Sequence, residues 1–372
     1  MAENLLASKQ ASKQAREYYI DVLKGLAMLA VILVHFNNGR HSPNSLLNKV
    51  SAVGARCPQL FFIISAYLTW TSLDRNPVNY GFFLKKKYSR MAPLFYAAIV
   101  IAVHIPTVRV FDISIGNYIS HAFFVNGLNP LWYNSIIGVE WYIADLALFY
   151  ILTPVLRKTI TGLKSGIYFF CFSIALSSIS LLLANSLLSK QIAMDKQFEM
   201  YFHTSLILHQ LPTMTIGVIL YYVTKGIKEG QLNRWKVLVE SGIVTVLISS
   251  VFLVLHMNKK YMTSSLIAGL MFGCLFLFCG CISSNIWKKR VFNFVKCIGK
   301  HSYGIYCLHQ IVINCICAFS HKNSSLLRWL AVFSAVAVIS CGVGIGGEII
   351  EEHTRIRIKI WYKNVIRERA AQ

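Results

Sequence analysis

Ten stretches of mostly apolar residues recur along this chain, each about as long as a helix needs to be to cross the ~30 Å hydrocarbon core of a bilayer. They lie near residues 22–38, 54–72, 93–109, 136–156, 166–188, 203–223, 237–256, 264–284, 301–319 and 327–350. The runs are continuously apolar rather than alternating, which favours helices over a β-barrel. Only 14% of the 372 residues are charged, against about 25% in soluble domains. The expected fold is therefore an all-α integral membrane protein, a single bundle of about ten transmembrane helices over residues 18–350. It is flanked by a polar, disordered N-terminal head (1–17) and a basic cytoplasmic tail (351–372).

The net charge of +22 has the magnitude of a nucleic-acid binder, but its distribution argues against one. Of the 37 lysines and arginines, 27 fall at the N-terminus, at the C-terminus and in every second loop between; the intervening loops hold 10. Cytoplasmic loops are enriched in these residues, so both termini are expected in the cytoplasm. The basic loops suit membrane lipids with anionic head groups. The first apolar run lacks a small-residue cleavage site, so no removable signal peptide is expected. The ten cysteines lie mostly within the spans without metal-finger spacing, and read as packing residues with no metal. Gly269-x-x-x-Gly273 and the cluster Gly342, Gly344, Gly346, Gly347 read as sites of close helix approach. The longest external connection is expected at 110–135.

The first span carries the main chemical signal. Asp21, Lys24 and His35 place ionisable groups along an otherwise apolar helix. At 100° per residue, His35 returns to within about 20° of Lys24, about 16 Å further along the axis. Asp21 lies about 40° to the other side. Ionisable groups inside membranes are functional candidates; as structural residues, Asp21 and Lys24 would anchor the interface and His35 would bond a neighbouring helix.

Asp21, Lys24 and His35 stand where the membrane-bound acyltransferase-3 family of bacterial O-acyltransferases has an aspartate, an arginine and a histidine in its first helix. Further segments resemble that family in the same order. They are Leu60-Phe-Phe-Ile-Ile-Ser65-Ala66-Tyr67-Leu68, Lys87-x-x-Arg90-Met-Ala-Pro93, and Leu131-Trp132-x-x-Ser135-x-x-x-Val139-Glu140-x-Tyr142 with Pro154. The last is Gly299-x-x-Ser302-Tyr303-x-x-Tyr306-x-x-His309. Together they span residues 18 to 310, and Lys24 and Lys87 replace arginines.

The resemblance implies transfer of an acyl group, most often acetyl, from cytoplasmic acyl-CoA to a hydroxyl of an extracytoplasmic glycan, in the bacterial inner membrane. Acetyl-CoA would be the donor, with Lys24, Lys87 and Arg90 as its binding residues. A neutral buried imidazole can accept a hydroxyl proton, so His35 is the expected general base and Glu140 the carboxylate that orients it. Asn37, Trp132 and His309 are the expected substrate-binding residues, and Asp145 is read as packing or part of a polar network. An extended pantetheine arm would cross from Lys24 to His35, with direct attack by the hydroxyl or an acyl-His35 intermediate. Two other readings are a transporter or flippase for a lipid-linked saccharide and the same fold acylating a small metabolite. The oligomeric state is not readable.

Overall fold

The computed structural model describes residues 2–75, 79–105, 114–188, 205–257, 264–282, 284–319 and 325–371. Among them every regular element is a helix. In chain order these are α1 (Ala2–Gly39), α2 (Ser45–Ala52), α3 (Cys57–Arg75), α4 (Tyr80–His104), α5 (Ile115–Ala122), α6 (Trp141–Thr159) and α7 (Leu163–Leu188). There follow α8 (Ile207–Lys228), α9 (Arg234–Met257), α10 (Ser264–Cys281), α11 (Ser284–Trp287), α12 (Asn293–Lys300), α13 (Ser302–Phe319) and α14 (Leu326–Ala371). The side chains of residues 2–17 lie outside the described set, while their backbone continues α1 as helix where the sequence led to a disordered head.

Each of the ten expected spans overlaps a helix among the described residues. Seven are long and apolar enough to cross a membrane: Tyr18–Gly39, Ser45–Arg75, Leu163–Leu183, Ile207–Lys228, Arg234–Val254, Ser302–Phe319 and Leu326–Ile358. The apolar helix within α10 is shorter, and α4 and α6 are not among the seven. Two expected boundaries are corrected. The α4 helix begins at Tyr80 rather than 93, continuing through Lys85, Lys86, Lys87, Arg90 and an internal Pro93. Residues 136–140 form a loop, so α6 begins at Trp141. The start of α4 is set by Asn79, whose side chain accepts from the Gly81 amide at 2.8 Å and so satisfies a donor with no partner inside the helix. The described part of the 110–135 connection holds α5 and a short 3-10 turn, Asn126–Leu128.

Burial sorts the helices into centre and rim. More than half of the span is buried in α1, α3, α8 and α13, against about a tenth in α7 and α9. The central helices α1 and α3 pack on each other, α3 packs on α8, and α13 packs on α1, α4 and α14. The rim helices present leucine, valine and isoleucine outward, as lipid-facing surfaces should.

Small residues fix the closest crossings. A Cβ on Gly25 would lie 2.1 Å from the Val295 carbonyl oxygen, and one on Gly299 would lie 1.7 Å from the Asp21 carbonyl oxygen. Reciprocal glycines therefore clamp α12 against the Asp21–Gly25 turn of α1. The packing expectation also holds for Gly269 and Gly273, which meet Thr213 and Ile216, and for Gly344, which meets the Ile305 backbone. It fails for Gly342 and Gly346, which have nothing within 4 Å of a built Cβ. All ten cysteines are unpaired thiols.

Hydrogen bonds tie the helix ends into two groups. Arg40 at the end of α1 donates to the Cys317 carbonyl at 2.6 Å, Trp329 donates to the Arg40 carbonyl at 2.6 Å, and Arg56 donates to Ser265 at 2.9 Å. In the second group, Arg234 donates to the Cys281 carbonyl at 2.9 Å and Tyr222 donates to the Ile160 carbonyl at 2.8 Å. His301 meets Glu348 at 2.8 Å, and Lys225 meets Asp74 at 3.4 Å.

Candidate active site

A cavity of about 400 Å³ opens between α1, α3, α4, α6 and α13. Lys24, Lys86, Lys87 and Arg90 line it, so the structure brings together all three cationic residues singled out in the sequence. Lys24 is paired with Asp21 at 2.7 Å across one helical turn. Lys87 is held more firmly: its ammonium donates to Thr69 Oγ1 at 3.1 Å and sits 4.4 Å from the centre of the Tyr150 ring. Arg90 is exposed.

The remaining wall is aromatic. Tyr142, Leu146 and Tyr150 recur every fourth residue, and form one stripe of α6 facing the cavity. Ser65 of α3 is a hydrogen-bond partner of both Tyr142 and Tyr150. From α13, Tyr303 donates to the Met91 carbonyl at 2.6 Å and Tyr306 donates to the Val139 carbonyl at 2.7 Å. Each phenol thereby satisfies a carbonyl and ties a helix or loop to the cavity wall. Sequence reasoning missed Thr69 and Tyr150 as parts of this site and met Ser65 only inside a family-like segment, without a role. The four-residue repeat on α6 was the one readable signal; Thr69 becomes relevant only through a tertiary contact.

Tyr306 connects the cavity to the histidines. Its ring lies 5.0 Å from that of Tyr142 and 5.5 Å from that of His309, and the His309 ring lies 5.2 Å from that of His35. His35 is half-buried and His309 fully enclosed. His309 Nδ1 is 2.7 Å from the Tyr306 carbonyl oxygen, whereas its Nε2 is buried without a hydrogen-bond partner.

The other expected residues are placed apart from this line. Glu140 makes no hydrogen bond or ion pair with His35 among the described residues. Its carboxylate instead accepts from the backbone amides of Ile136, Ile137 and Gly138, at 2.8 Å for the first and third. It also faces His121 Nε2 at 3.7 Å, a residue that sequence reasoning did not single out. Glu140 therefore folds the loop that carries the Val139 carbonyl to Tyr306. Asn37 is buried and accepts from the Ser42 amide at 3.0 Å, shaping the turn after α1. Trp132 is half-buried, with its ring against Gly116 of α5. Asp145 is fully buried and neither carboxyl oxygen has a hydrogen-bond partner, so the expected polar network is not formed around it.

These elements define a multi-pass membrane protein with a cationic, aromatic-walled cavity leading to a histidine pair. Residues 17–345 match the acyltransferase domain that defines the acyltransferase-3 family. The chain belongs to that family and is a membrane acyltransferase. Comparison with curated proteins and with solved structures returns no match.

Proposed function

We propose that this chain is an O-acetyltransferase of a bacterial inner membrane. It takes acetyl from cytoplasmic acetyl-CoA and passes it to a hydroxyl of a cell-surface polysaccharide or lipid-linked glycan outside. The carrying observation is the cavity, with four cations in its lining and Tyr306 between it and His309 and His35. Lys24, Lys87 and Arg90 would hold the phosphates of CoA. The aromatic wall of Tyr142, Tyr150 and Tyr306 would flank the pantetheine arm. His35 would take the proton of the attacking hydroxyl as its oxygen bonds to the thioester carbonyl carbon. The carbon–sulfur bond breaks, and the departing thiolate receives that proton to leave as CoA thiol.

Ten crossings with both termini inside are part of this proposal. Alternating crossings place Arg40, Cys317, Trp329, Arg56 and Ser265 outside, and these are residues that bond one another. They place Arg234, Cys281, Asp74, Lys225, His301 and Glu348 inside, and these too are joined in pairs. Lys24 and the Lys86–Arg90 segment then face the cytoplasm together, where acetyl-CoA is made.

The test compares glycan O-acetylation in cells carrying wild type or His35→Ala at matched expression, read by mass spectrometry of the surface glycan. Loss of the acetyl group in the alanine variant is expected. Normal O-acetylation by that variant would overturn the assignment of His35 as base.

A further inference from the structure

The sequence leads to the expectation that a carboxylate, Glu140, orients His35. The structure engages Glu140 with three backbone amides and His121 instead, and leaves a different group beside His35. His309 Nδ1 lies 2.7 Å from the Tyr306 carbonyl oxygen. A carbonyl can only accept, so Nδ1 carries the hydrogen and the neutral ring keeps its lone pair on Nε2. That nitrogen is fully buried without a partner, an arrangement that costs stability unless a donor arrives. The neighbouring ring with exchangeable N–H groups is His35, at a centroid separation of 5.2 Å and a tilt of 57°. The His35 ring can turn about χ2, a soft torsion, and where a nitrogen of each ring lies on the line of centres this separation leaves about 2.9 Å between them, a normal hydrogen-bond length.

Burial divides the roles of the two rings. His35 retains accessible surface and can meet an acceptor hydroxyl, whereas His309 has none. We infer that His309 is the positioning residue of this site: its Nε2 accepts from one nitrogen of His35 and leaves the other as the base toward the acceptor. When His35 takes the hydroxyl proton, the same contact becomes a charge-assisted bond to the imidazolium and stabilises it. The proton then moves from His35 to the departing thiolate, and His309 ends each turnover unchanged. The backbone carbonyl of Tyr306 holds the tautomer, as a carboxylate does in other triads. This inference rests on the assignment of His35 as base made above.

Two amides separate the roles of the two His309 nitrogens. His309→Asn places an amide near the Nδ1 position and keeps the bond to Tyr306, but offers nothing toward His35. His309→Gln extends a carbonyl oxygen to the Nε2 position and can accept from His35. Both are measured in nanodiscs as CoA released from acetyl-CoA in the presence of purified surface glycan. Thermal unfolding serves as the check on folding. The expected result is a kcat for His309→Asn at least tenfold below that of His309→Gln, with the KM for acetyl-CoA unchanged in both. Equal kcat values for the two folded variants would overturn the positioning role, as would a loss confined to KM. If His35→Ala stays active, the base assignment itself fails. If His35→Ala is inactive while His309→Asn matches wild type, only the positioning role fails.

Discussion

Replacing Lys87 by methionine keeps the length and apolar stem of the side chain and removes its charge. In the structure this ammonium is already oriented by Thr69 at 3.1 Å and the Tyr150 ring at 4.4 Å. A free lysine carries about 2 kcal/mol of rotamer entropy that binding would remove; for Lys87 most of that ordering is already in place. A charge-assisted hydrogen bond to a phosphate is worth about 1.5–3 kcal/mol, and 1.4 kcal/mol is tenfold in affinity. Lys87→Met should therefore weaken CoA binding by about 10- to 100-fold. Lys86 is exposed, so Lys86→Met should cost less than about fivefold. The assay is calorimetric titration of CoA into protein in nanodiscs, alongside pantetheine, which lacks the phosphates. CoA affinity should fall in Lys87→Met while pantetheine binding holds. Unchanged CoA affinity in a folded Lys87→Met protein, or an equal loss for pantetheine, would refute phosphate binding by this group.

Three further outcomes follow from the packing and hydrogen bonds. Gly299→Ala drives a methyl into the Asp21 carbonyl, where backbone faces backbone. It should lower stability by about 3 kcal/mol, whereas Gly342→Ala, in open space, should be neutral or stabilise by up to about 1 kcal/mol; thermal unfolding in detergent checks both. Glu140→Gln removes a charged acceptor from three backbone amides and should destabilise the 136–140 loop by about 2 kcal/mol or more. Faster hydrogen exchange at Ile136–Gly138 is the expected sign, and unchanged exchange would refute the loop-folding role. Tyr306→Phe leaves the Val139 carbonyl without its donor and should cost about 1 kcal/mol, measured by the same unfolding assay.

The sequence revealed the ten hydrophobic segments because a bilayer-length apolar run needs no partner to be recognised. It revealed Lys24, Lys87 and Arg90 because charges inside or beside such runs stand out, and the structure gathers them in one cavity. The start of α4 was hidden because Lys85, Lys86 and Lys87 resemble a loop by polarity, yet lysine is a good helix former. The expected span began at Pro93, although the helix runs through it. The partners of Glu140 were hidden because they depend on where three amides of a turn point, which residue type does not encode. The pairing of His35 with His309 spans α1 and α13; without the bundle assembled, only the helical phase of each residue is visible. The same limit explains the glycines. Gly344 and Gly346 look equivalent in sequence, but only the first faces α13.

The reciprocal glycine clamp between α1 and α12 gives the first helix a fixed origin. Val295 and Asp21 offer rigid backbone at the contact, so α1 cannot slide along its axis there without collision. Eleven residues further on, His35 stands at a set height of about 16 Å above Lys24. A donor anchored by its phosphates at the Lys24 end would be measured against this ruler. Its thioester would reach the same level whatever the acyl chain, and any extra carbons would extend past the mark. Chain-length selectivity in such a protein would be decided by the space above His35, leaving the cationic cavity free to treat all acyl-CoA donors alike.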